Sequence, residues 1–106
     1  YGHYHWVHTI NNAALVALAL LYGDGDFSRS ICLAVIGGWD TDCNGATVGS
    51  IVGTLNGAVP ERWTAPLNNR VRSSLRGFDH SRIDDLARRT LALVNAAQLE
   101  PAAQVM

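Results

Sequence analysis

Lysine is missing from the sequence, and all eight basic side chains are arginine. This reads as the codon bias of a GC-rich genome and carries no functional information. An excess of either charge is missing too. The formal net charge is -1 at pH 7, so nothing in the balance calls for nucleic acid or an anionic membrane as partner. Cysteine is scarce. Cys32 and Cys43 are isolated, without the CxxC spacing of a zinc ribbon or redox pair, and no disulfide framework is indicated. A reduced, cytoplasmic setting is expected. Long hydrophobic runs are absent: the longest, Ala13 to Tyr22, falls short of the roughly 20 residues a membrane span needs. No stretch alternates β-branched and polar residues with period two, so the chain is expected to be all-α. The opening Tyr1-Gly2-His3 has neither an initiating methionine nor the regions of a signal peptide, and the expectation is a single segment, 1–106, of a longer protein.

What is present is a succession of helical patterns. "TINNAALVALALLY" runs from a candidate N-cap at Thr9 to Gly23, and its nearly all-round apolarity suggests a central helix. After the "GDGD" turn, "FSRSICLAVI" puts Phe27, Ile31, Ala34 and Val35 on one face, and Gly37-Gly38 ends it. A third helix is expected from near Gly45 to Pro60, with Gly45, Gly49, Gly53 and Gly57 in register. Each glycine costs about 1 kcal/mol of helix propensity, so the stripe implies close approach of another backbone. The membrane reading of such a stripe suits a longer run that does not abut two aspartates. Pro66 to Leu75 is expected to form a short helix through Leu67, Val71 and Leu75, with Trp63 folded onto the core. A last helix starts at Ser81 with Asp84 as a capping partner, burying Ile83, Leu86, Thr90, Leu93 and Val94 and exposing Arg88 and Arg89. Only the alanine-rich tail after Gln98 resembles low complexity.

The chemistry concentrates in "GGWDTDCNG", Gly37 to Gly45. Asp40 and Asp42 alternate along the chain, so two carboxylates can converge on one hard cation such as Mg²⁺ or Ca²⁺. The spacing Asp40, Asp42, Asn44, Gly45 matches the start of an EF-hand loop, but the position that needs a bidentate glutamate is Ile51. A structural reading also stands: Asp42 or Asn44 capping the following helix. A cap uses one polar side chain and leaves the second aspartate without a role.

"GGWDTDCNGATVGSIVGTLNGA" followed by "VPERW" resembles the C-terminal signature of the ADP-ribosylglycohydrolase family, and "HTINNAALVALALLYGDGDFSRSICLAVIGGWDTD" is similar to its preceding helix pair. The likeness is strongest over residues 8–95. It implies an orthogonal all-α helical bundle, of which this chain is the C-terminal part. It also implies a two-metal centre, Mg²⁺ or alternatively Mn²⁺, with Asp40 and Asp42 as ligands, one of them bridging the metals. The implied activity is hydrolysis of the N-glycosidic bond of ADP-ribosylated proteins or of related ADP-ribosyl compounds, with the remaining N-terminal part of the same protein as a partner. The alternative is a noncatalytic fragment or relative that binds ADP-ribose or a protein. Two positions depart from the family. Cys43 stands where a hydroxyl ligand is often found, and magnesium disfavours a soft thiol. Nothing matches the family's other ligand cluster, a threonine with paired aspartates, or its acidic catalytic residue, although Asp84-Asp85 is a formal substitute. No catalytic or substrate-binding residue is therefore assigned.

Three further features draw attention. His3, His5 and His8 lie among Tyr1, Tyr4 and Trp6, and His8 directly precedes the first helix. His3 and His5 could share a metal if extended. Asn11 and Asn12 need partners if buried. Trp39 could line a sugar or adenine surface, or simply anchor the loop.

Overall fold

The structure is a computed structural model that describes residues 2–99, the side chain of Leu99 excepted; the alanine-rich tail lies outside them. Among the described residues five helices follow one another: α1 (Thr9–Gly23), α2 (Phe27–Ile36), α3 (Thr41–Asn56), α4 (Glu61–Thr64) and α5 (Ile83–Leu99). A 3-10 turn, Ala65–Leu67, and a two-residue antiparallel pair, β1 (Arg70–Val71) with β2 (Ser81–Arg82), separate α4 from α5. The chain divides into two compact units, residues 1–61 and 62–106. Among the described residues no helix is long and apolar enough to cross a membrane.

In the first unit, α2 packs on both α1 and α3, and α1 touches α3. Helix α1 ends in left-handed Asp24 (φ 50°), and α2 starts where the Asp26 side chain accepts the Arg29 N–H at 2.7 Å. The turn between them is tight because Gly23 lacks a side chain. A Cβ there would stand 2.9 Å from the Ser30 Cα, and Ser30, fully buried, turns its hydroxyl to the Asp26 carbonyl at 2.6 Å. The core is Leu15, Ala19, Phe27, Ala34, Val48 and Val52. These are mostly small side chains, which bring the helices close.

The glycine stripe of α3 meets side chains, not another backbone. Cβ atoms added at Gly45 and Gly49 would stand 3.3 Å from Val35 and Ile31, and one at Gly53 would stand 3.6 Å from Phe27. The α2 ridge Phe27, Ile31, Val35 therefore fills the groove that the glycines leave, as ridges-into-grooves packing requires. Gly57 is not part of this contact; it is the left-handed C-cap of α3 at φ 70°. Helix α1 is also less central than its composition suggests. It buries Asn11, Leu15, Ala19 and Gly23, a stripe of period four, while Leu21 and Tyr22 are 76% and 65% exposed.

The second unit departs further from expectation. The helix expected over Pro66 to Leu75 does not form. Asn68 and Asn69 both take left-handed φ, 51° and 54°, which asparagine tolerates better than most residues. They turn the chain out of the 3-10 turn into β1. Helix α5 begins at Ile83, two residues later than expected, and its N-terminus is satisfied by Asn69 in place of Ser81: the Asp84 N–H donates to Asn69 Oδ1 at 3.0 Å and the Ile83 N–H to the Asn69 carbonyl at 3.1 Å. The face expected to be buried is largely exposed: Leu86 is half-buried, Thr90 is exposed, and Ile83, Leu93 and Val94 are exposed as well. Trp63 is half-buried.

Candidate metal centre

The aspartates are not in a free loop. Gly38 and Trp39 take consecutive left-handed conformations, φ 83° and 57°, and this sharp reversal lets α3 start at Thr41, four residues before Gly45. Asp40 is thereby the N-cap residue and Asp42 the second residue of the helix. Asp40 stands where a capping carboxylate belongs, yet it makes no side-chain cap bond. The capping role that the sequence allowed for Asp42 or Asn44 is not taken by Asn44 either, which is buried and bonded elsewhere.

Asn12 of α1 holds this corner. Its Oδ1 accepts the Asp40 N–H at 3.2 Å and the Asn44 side-chain amide at 2.7 Å. Its own amide donates to the carbonyls of Trp6 at 2.7 Å and His8 at 2.8 Å. One asparagine thus uses its donors and its acceptor to join the opening segment, α1 and the start of α3. Asn12 thus finds the partners that a polar residue in an apolar helix needs, and Asn11 finds them only in part. Asn11 donates to the His5 carbonyl at 3.3 Å, but its buried Oδ1 has no partner.

Carboxylate oxygens of Asp40 and Asp42 and the Cys43 sulfur all lie within 4.8 Å of one another; Asp40 is half-buried, the other two exposed. The thiol donates to Asp40, and this bond, with the charges of Asp40 and Asp42, raises the Cys43 pKa above its ordinary value. A groove of about 480 Å³ runs from this cluster along α1, lined by Asn12, Val16, Leu20, Asp40, Cys43 and Thr47 among others. Its walls are mainly aliphatic and its polar end carries Asp40. Trp39 is half-buried beside them.

The other candidates are occupied with structural work. His8 is the N-cap of α1 in place of Thr9, its Nδ1 accepting the Ile10 N–H at 3.2 Å. His5 accepts the Val7 N–H at 3.4 Å, while Tyr4 stacks on His8 with centroids 4.6 Å apart and meets His3 at 4.1 Å. Asp84 pairs with Arg82 at 3.0 Å and Asp85 with Arg89 at 3.4 Å, so these carboxylates are committed to arginines on the surface of the second unit. The bond from Arg82, and then one from the Asn69 side chain, hold the Asp84 carboxyl far below the usual carboxylate range. Asn12 and Asn44 were the positions that sequence reasoning underrated. The available signal was a polar pair interrupting an apolar helix, which requires buried partners.

Neither the search of curated proteins nor that of solved structures returned a match. The comparison with protein-family models did: the ADP-ribosylglycohydrolase model matches residues 1–101. With nearly the whole chain inside that match, and with a fold that is helical apart from one two-residue strand pair, the chain belongs to the ADP-ribosylglycohydrolase family.

Proposed function

We propose that Asp40 and Asp42 hold a divalent cation, Mg²⁺ or Mn²⁺, in a hydrolase that cleaves the N-glycosidic or a related bond of ADP-ribosylated proteins or ADP-ribosyl compounds. The observation that carries this reading is that two carboxylates converge at the start of α3, where the N-cap aspartate makes no capping bond to the helix. The two carboxylates fit such an ion. Oxygen ligands suit hard cations, and two carboxylates are needed at a helix N-terminus, because the dipole there, about half a positive charge, opposes a cation. A bound cation would supply positive charge that orients sugar hydroxyls and a water at the anomeric carbon.

The chain's own residues do the rest of the positioning. Asn12 fixes the backbone at Asp40, and Val16 and Leu20 give the adjoining groove an apolar wall on which a nucleoside can lie. In this reading the 106 residues are one C-terminal segment of a larger all-α domain and act in the cytoplasm, with the second ligand cluster and the catalytic acid supplied by the N-terminal part of the protein. The isolated chain therefore hydrolyses no ADP-ribosyl bond; turnover by it at a rate typical of the family would refute that division of labour. The cation site itself is tested by calorimetric titration of the purified protein and its Asp42→Ala variant with Mg²⁺ and Mn²⁺. Binding is expected to weaken strongly or vanish in the variant, and equal binding by both would overturn the assignment.

A further inference from the structure

We infer that Cys43 is a third protein ligand of this cation and turns the site from magnesium toward a thiophilic divalent ion such as Zn²⁺, Co²⁺ or Cd²⁺. The inference rests on the cation site proposed above and names its selectivity.

The geometry comes first. Asp40, Asp42 and Cys43 occupy the N-cap, second and third positions of α3, and their three ligand atoms lie within 4.8 Å of one another. Sulfur binds zinc at about 2.3 Å and oxygen at about 2.0–2.2 Å, so ligands sharing one tetrahedral ion stand roughly 3.5 Å apart. The observed spacing is within reach of small side-chain rotations. Cys43 and Asp40 also line the same groove, so an ion there is open to a further ligand from solvent or substrate. Cys32, the other free thiol, lies on α2 outside the cluster and serves as an internal control.

Chemistry then sets the preference. Magnesium asks for near-octahedral oxygen and gives up its water reluctantly. A thiolate is a soft ligand that favours zinc and its neighbours. It also adds a third negative ligand against the positive end of α3. As the metal–sulfur bond forms, the thiol proton passes to solvent, so binding releases one proton for this ligand.

The test is titration of the purified, metal-free protein with Co²⁺, following the near-ultraviolet sulfur-to-cobalt charge-transfer absorption, with Zn²⁺ and Mg²⁺ as competitors. The band is expected in the wild type and in Cys32→Ala and is lost in Cys43→Ser. The preference for Zn²⁺ over Mg²⁺ falls at least about tenfold in Cys43→Ser, the lower end of what even a residue supporting a ligand contributes. Cobalt bound without the band, or a band that survives in Cys43→Ser, overturns the role of Cys43 and leaves the carboxylate site standing. A wild type that binds none of Co²⁺, Mn²⁺ or Mg²⁺ overturns both.

Discussion

Residues 1–61 and residues 62–98 solve the problem of holding a short chain in different ways. The first unit encloses Leu15, Ala19, Phe27, Ala34, Val48 and Val52 between three helices, and its polar side chains Asn11, Ser30 and Asn44 are buried with them. In the second unit no described residue is buried. Its order comes from exposed pairs: Arg72 with Asp79 at 2.8 Å, Arg82 with Asp84, Arg88 and Arg89 with Asp85, and the Asn69 cap on α5. Apolar burial is worth roughly 25 cal/mol per Å², whereas exposed ion pairs contribute little and are screened by salt. The two units should therefore respond to different insults, and the candidate metal centre lies in the one with the dry core.

The sharpest way to break this contrast is truncation of one leucine in each unit. Leu15→Ala, at a site 7% exposed and packed on Gly37, is expected to cost about 2–5 kcal/mol in chemical denaturation. Leu93→Ala, at a site 72% exposed, should stay within about 0.5 kcal/mol. A large cost at Leu93 would mean that α5 buries this face in solution.

A smaller effect is expected at the polar corner. Asn12→Ala leaves the Asp40 N–H and the buried Asn44 amide without their shared acceptor, a loss of about 1–3 kcal/mol. If Asn12 positions the acids, Mn²⁺ affinity should fall as well, by about 10–100-fold; unchanged affinity would confine Asn12 to folding.

The smallest effect concerns the second unit and pH. The Arg72 bond, then the Ser73 N–H, holds the Asp79 carboxyl below its ordinary range. A depressed carboxylate adds stability above its unfolded pKa and loses it as pH falls through the lower folded value. Hydrogen-exchange protection of residues 72–81 should therefore decline below about pH 4, and Asp79→Asn should remove that dependence. Protection in the first unit that fell in step would show that one force holds both.

The same contrast governs what could be read from the sequence. Helices α1 and α2 were legible because their apolar spacing and their breakers, Gly23 and Gly37-Gly38, agree with their packing. The start of α3 was misplaced because it depends on a left-handed Trp39, a conformation that nothing in a tryptophan announces. Leu67, Val71 and Leu75 mimic a helical face, but the backbone of Asn68 and Asn69 decided otherwise. The α5 stripe marks an amphipathic helix whose apolar side stays largely exposed among the described residues. At the site, the convergence of Asp40 and Asp42 was readable from spacing and family resemblance. The role of Asn12 was not, because it joins positions 28 and 32 residues apart.

The left-handed step through Gly38 and Trp39 has a consequence for timing. A loop that wraps around its ion only after the ion arrives captures it at the speed of backbone rearrangement. Here the reversal is already complete, and Asn12 pins the Asp40 backbone from the adjoining helix α1. If the acids take a cation, the slow event is the shedding of the ion's own water, which sets magnesium apart from its softer competitors. Stopped-flow entry rates should then rank the metals by water exchange, and Trp39→Gly, which relaxes the left-handed strain without moving a ligand, should leave that ranking intact.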